Sequence, residues 1–213
     1  MSVRGYQYRF ISLKAAMARR YELKARARKQ EETRQRIVEA VAALHEEVGP
    51  TNTSIKAIAE RAGVQRLTVY RHFPDEPALI EACGAHFLSQ NPPPDATPWG
   101  WIPDPEDRLR AGLADIYDFY QRTERMTSNI LRDLPEVPAL EAATQPFMDA
   151  LRWYHAVLSE PWSAPETQED LLYAAIFHAI WFDTWRSLVR HQGLPVETAI
   201  ELMVRLVRSS ATR

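Results

Sequence analysis

The sequence has very little cysteine: Cys83 stands alone among 213 residues. One thiol excludes an intramolecular disulfide and a cysteine-rich metal cluster, and it fits a reducing, cytoplasmic setting in which the residue is a small buried side chain. Long apolar runs are missing too. None approaches the ~18 residues that span a bilayer, and the basic N-terminus is not followed by the apolar stretch of a secretory signal, so no membrane partner is expected. Strand-type alternation is nearly absent. There is no glycine-rich phosphate loop. The six histidines, at 45, 72, 86, 155, 178 and 191, contain no i,i+4 metal pair, and HEE at 45–47 lacks the second histidine of a zinc-protease helix. No recognisable carboxylate pair stands in an apolar setting. These absences argue against an enzyme, a metal site or a bound cofactor.

What is present is apolar and helix-forming. With 46% hydrophobic residues the chain can bury a substantial core, and its length suits one large domain or two small ones. The net charge of −2 conceals an uneven distribution. Residues 1–30 carry nine Lys/Arg against one acid, residues 31–80 six against eight, and residues 81–213 eleven against nineteen. A basic arm over 1–30 on an acidic body points to an anionic partner at the N-terminal end.

Residues 1–16 show no clear period and read as a flexible arm, with Met17 a second candidate start. From Met17 to Gly49 the composition reads as one long helix whose apolar face is Ile37, Val41, Leu44 and Val48. Thr53 or Ser54 is placed to cap a helix ending near Ala62. Gly63 breaks it, a third helix runs from about Gln65 to Phe73, and Asp75 caps a fourth from about Glu76 to Ser89. The stretch NPPPDATPWGWIPDP, residues 91–105, holds six prolines and reads as a rigid linker or loop and as the best candidate domain boundary. Beyond it, helices are expected over 105–124, with a separate short turn near 127–133, over 137–160 with a bend or restart at Pro146, over 164–193, and over 194–210.

Two helices of about nine residues joined by a glycine turn form a helix-turn-helix. Ala59 and Ala62 permit close approach, and Ile55, Ile58, Val64, Val69 and Phe73 supply apolar anchors that Leu44 completes. The other face of 65–71 then points outward with its hydrogen-bonding groups displayed. A recognition helix sets such groups against base edges. Arg66 can donate bidentately to guanine, Gln65 can pair with adenine, Thr68 and Tyr70 suit phosphate or thymine-methyl contacts, and Lys56 on the preceding helix suits the backbone. Spacing alone fits a solvated face on an ordinary helical hairpin equally well.

The segment TSIKAIAERAGVQRLTVYRHF, residues 53–73, resembles the DNA-binding signature of the TetR family of bacterial transcriptional repressors. The matching features are Thr53-Ser54, Ile58-Ala59, Ala62-Gly63-Val64, Thr68, Tyr70, His72-Phe73 and Leu79, together with RQRIVEAVAALHEEVG upstream. The resemblance implies an all-α chain: a three-helix helix-turn-helix DNA-binding domain over 31–80, and a helical bundle for effector binding and dimerisation over 81–213. It implies phosphate contacts from Thr53 or Ser54, Lys56, Thr68, Tyr70 and His72, with Gln65, Arg66 and Arg71 as the base readers. The family often carries a lysine where this chain has Glu76, which forfeits an attractive phosphate contact. The basic arm, with Arg19, Arg20, Lys24, Arg26, Arg28 and Lys29, is placed to compensate.

One recognition helix reads too few base pairs for tight specific binding, so a palindromic operator on double-stranded DNA and a homodimer are expected. LLYAAIFHAIWF, residues 171–182, is apolar almost all round, and the last helix has a wide apolar sector. Helices over about 165–192 and 195–209 are therefore the expected dimer surface. The bundle is rich in aromatics, and Tyr117, Tyr120, Trp153, Phe177, His178 and Trp181 are candidate contacts to a small apolar or aromatic effector. The alternative is a regulator without a small-molecule effector, governed by a protein partner or always active.

Overall fold

The computed structural model describes the fold of residues 3–211 and the side chains of residues 20–211. Among the described residues there are helices and connecting loops, with no strand. Helix α1 (Val3–Glu47) begins far earlier than Met17, so the aperiodic stretch read as a flexible arm is helical from Val3 onward. Residues 17–36 are rich in Ala, Arg, Lys, Glu and Gln, which favour a helix without needing a partner face. The buried stripe starts only at Ile37 and comprises Ile37, Val38, Ala40, Val41 and Leu44, whereas the side chains of residues 20–32 are exposed. Val48, expected on that stripe, lies past the last turn and is exposed.

Helices α2 (Ile55–Ala62), α3 (Arg66–His72) and α4 (Glu76–Gln90) follow. Ile58, Ala59, Ala62, Val69, Phe73, Leu79 and Cys83 close a first core against the α1 stripe, with Leu44 at its edge as expected. The second and larger core joins α5 (Pro105–Asp133), α6 (Ala139–Ser159), α7 (Glu169–Ala179), α8 (Phe182–Trp185) and α9 (Val196–Ala211). Helix α4 serves both sides: Leu79 and Cys83 belong to the first core, while Ile80 packs on Val137 and Leu140. No helix among the described residues is long and apolar enough to cross a membrane.

The bundle departs from the sequence expectation in four places. The proline-rich stretch, expected as a rigid linker or loop, packs on the larger core. Ala96 and Trp99 are buried in the larger core, Trp99 Nε1 donates to Asp115 at 2.7 Å, and the Tyr154 hydroxyl donates to the Pro94 carbonyl at 2.8 Å. Helix α5 does not stop near Glu124 but runs unbroken to Asp133. Helix α6 continues through Pro146, which is exposed and deprives the helix of one backbone donor. The long helix expected over 164–193 is interrupted at Ile180 and Trp181 and resumes as α8 and a π-helical segment, Arg186–His191. Two buried tyrosines of α5 account for the interruption: the Tyr117 hydroxyl donates to the Ala179 carbonyl at 2.9 Å, and that of Tyr120 to the Ile180 carbonyl at 2.7 Å. Carbonyls released by a broken helix need such donors when buried.

Candidate nucleic-acid interface

Local rules build the helix-turn-helix. Ser54 accepts from the Ala57 N–H at 3.1 Å and so is the cap of α2; Thr53 instead donates its hydroxyl to the Gly49 carbonyl at 2.8 Å. Gly63 ends α2 in the left-handed region at φ 65°, and the Val64 N–H then returns to the Ala59 carbonyl at 2.9 Å. Asp75 caps α4 through the Ala78 N–H at 2.9 Å. Arg61 forks onto Glu47 with both nitrogens at 2.7 Å, tying α2 to the end of α1.

Val69 and Phe73 anchor α3 in the core, and this fixes which side faces out. Gln65, Arg66, Tyr70 and Arg71 are exposed, and Thr68 is half-buried. Lys56 is exposed on α2, with Glu60 3.8 Å away. Leu67 was not among the residues singled out from the sequence, yet it is 76% exposed in the middle of this edge. An apolar side chain held in water there suits a thymine methyl. His72 is half-buried, its Nε2 has no hydrogen-bond partner, and burial together with Arg71 and Arg34 holds its imidazole below the usual histidine range.

A cavity of about 130 Å³ lies between α4, α5 and α6. Its wall is mostly apolar, with Ile80, Phe87, Phe119, Met126, Ile130 and Phe147 among its lining residues. The polar groups on it carry no charge at pH 7. Burial lowers His45 to about 4 and pushes the Cys83 thiol up to about 12, and the two sit 3.6 Å apart, Nδ1 to Sγ. Thr127 and Thr144 direct their hydroxyls to Thr123 and to the Leu140 carbonyl.

None of the six residues expected to contact an effector lines this cavity. Tyr117 and Tyr120 are buried core residues whose hydroxyls are committed at the α7–α8 break. Phe177 and Trp181 stack on each other with centroids 5.6 Å apart, Trp153 is exposed against Tyr154, and His178 is exposed and bonded to the Thr184 hydroxyl. An aromatic on a helix fills whichever space packing leaves, and here the open space fell on the α4 side of α5.

Known proteins share this arrangement. Residues 37–83 match the sequence profile described as bacterial regulatory proteins, tetR family. The HTH-type transcriptional repressor KstR of Rhodococcus jostii (strain RHA1) is 27% identical over 191 residues, covering 86% of each chain. Among solved structures, a TetR-like transcriptional regulator from Rhodococcus sp. RHA1 superposes with a TM-score of 0.59 at 18% identity, over 85% of this chain and 97% of that one. A TetR family transcription regulator from Marinobacter aquaeolei VT8 also gives 0.59, at 17% identity, over 88% and 100%. The structural likeness extends the fold across the bundle, and the profile falls on the segment that displays α3. This combination supports a DNA-binding transcriptional regulator whose residues 37–83 match the DNA-binding segment of the TetR family and whose fold is like that of TetR-family structures.

Proposed function

We propose that the protein is a repressor that binds a palindromic operator as a homodimer and releases it when a small, uncharged, apolar molecule fills the cavity between α4, α5 and α6. The outward edge of α3 carries this reading: Arg66, Leu67, Tyr70 and Arg71 are exposed on a helix whose other side is locked by Val69 and Phe73. Arg66, Arg71 and Gln65 read bases; Lys56, Thr68, Tyr70, His72 and the hydroxyl of Ser54 meet phosphates. The repressor sense follows KstR, which is a repressor by name. Exposed Arg20, Lys24, Arg26, Arg28 and Lys29 on the extended α1 track the flanking phosphates.

The dimer forms through α7 and α9, which pack on each other and leave Leu171, Ala174 and His178 on one helix and Leu202 and Leu206 on the other facing outward. The cavity takes at least a small apolar group. An apolar cavity near 150 Å³ holds benzene, so about 130 Å³ admits a single ring or a short alkyl chain without expansion. Selection of bound sequences from a random DNA pool tests the DNA half of this reading: an inverted repeat with half-sites about one helical turn apart supports it, and enrichment of no sequence rejects it. A panel of small aromatics and alkanes screened by thermal shift, then for release of the selected operator, tests the effector half.

A further inference from the structure

The last two turns of α5 carry two interleaved sets of side chains. Met126, Thr127, Ile130 and Leu131 line the cavity. Between and beyond them, Asn129, Arg132 and Asp133 grip the end of α1 and the loop that leads into α2. Asn129 Nδ2 donates to the His45 and Glu46 carbonyls, both at 2.9 Å, and its Oδ1 accepts from Arg132 Nη1 at 2.9 Å. Arg132 donates to the Val48 carbonyl at 3.1 Å and forks onto Asp133 at 2.6 and 3.1 Å. Asp133 is buried and accepts the Thr51 N–H at 3.0 Å. A guanidinium suits the negative end of a helix. Gly49, at φ 88°, passes so close that a Cβ there would overlap both Arg132 and Asp133. The same short loop supplies the Gly49 carbonyl to Thr53 and ends at Ser54, the cap of α2.

We propose that this end of α5 is the joint through which occupancy of the cavity reaches the recognition helix, with Asn129, Arg132 and Asp133 as positioning residues that pass to α1 and α2 any displacement an occupant imposes on Met126 and Ile130. The joint rests on the effector reading above and adds the route. The rival route runs through α4, which lines the same cavity with Ile80, Cys83, Gly84 and Phe87. Helix packing converts a push on one face of a turn into movement of the groups on its other face, because a packed helix shifts as a body. Both faces of the 126–133 segment are engaged, one by the cavity and one by the DNA-binding unit.

Gly84 provides a tethered occupant that needs no ligand. It lines the cavity, and beyond its chain neighbours and its own helix backbone no heavy atom lies within 4 Å of a Cβ built on it, so Gly84→Leu adds apolar volume in open space. Ala143→Leu, from α6, is an independent filler. Asn129→Leu with Arg132→Met opens the joint, and Thr51→Pro opens it separately by removing the N–H and the hydroxyl that Asp133 accepts. Operator affinity is measured for the full chain in the four combinations of a filler and an open joint, each checked for helicity and for dimer mass. The joint predicts that a filler weakens operator binding about tenfold when the joint is intact and less than about twofold when it is open. Should the open joint alone abolish specific binding in a folded dimer, positioning is upheld and the milder Arg132→Lys variant completes the cycle. An equal loss in both backgrounds overturns the joint and leaves the effector reading standing, with α4 as the route. No loss from either filler with the joint intact overturns both.

Discussion

His45 sits where three parts of the molecule meet. Its ring lines the cavity beside Cys83, and its carbonyl is held by Asn129. Burial depresses its pKa to about 4, with the Asp133 carboxylate pulling weakly the other way. The unfolded chain takes up this proton near 6.5, the folded chain only near 4. The stability involved is therefore whole above pH 6.5 and is lost as the pH falls towards 4, by up to roughly 3 kcal/mol. His45→Gln is expected to flatten urea-unfolding stability between pH 7 and 5 relative to the parent; parallel curves would contradict the assignment. Tyr120 gives a second prediction. Its hydroxyl serves a carbonyl at a buried helix break, so Tyr120→Phe should destabilise by about 1–3 kcal/mol in the same assay. The polar edge of α3 could be read from the sequence because Gly63 and the spacing of Val69 and Phe73 fix which side is buried. Leu67 could not, since an exposed leucine looks like a core residue in any sequence. The pocket aromatics could not either: a tyrosine in a helical stripe reads the same whether it lines a cavity or caps a distant carbonyl, as Tyr117 and Tyr120 do.

Among the elements, α2, α3 and α4 carry their boundaries in short-range signals: Ser54, Gly63 and Asp75 act where their residue types say they should. The ends of α5 and α7 have no such signals. Thr127, Ser128 and Asn129 are weak helix formers and suggest a stop, yet contacts with α1 carry α5 on to Asp133. The interruption after Ala179 is set by two tyrosines some sixty residues away, beyond the reach of a periodicity argument. Residues 20–32 of α1 show the opposite case, a stretch of helix formed by composition while its side chains stay exposed. Its exposed cations lead to a prediction at this scale. Deleting residues 1–29 should weaken operator binding and make it less steeply dependent on salt, because fewer counterions are released. An unchanged affinity and slope would remove α1's extension from the interface.

At the scale of the whole molecule, two cores share α4, and a second bridge from α5 to the end of α1 leaves the DNA-binding unit little freedom to move alone. The two-fold pairing proposed through α7 and α9 uses apolar side chains that are otherwise in water, with Leu171 61% and Leu206 48% exposed. Leu171→Asp with Leu206→Asp should give a folded monomer by light scattering and lose most of the operator affinity, while weak binding to arbitrary DNA persists. A dimer that survives both changes would place the interface elsewhere. The central claim is that the outward edge of α3 reads bases. It is tested most directly by Arg66→Ala against the operator obtained from the random pool. The account predicts a loss of about 1–3 kcal/mol in operator binding, relaxed preference at one symmetric pair of positions, and unchanged binding to arbitrary DNA. Operator affinity and base preference identical to the parent would contradict it.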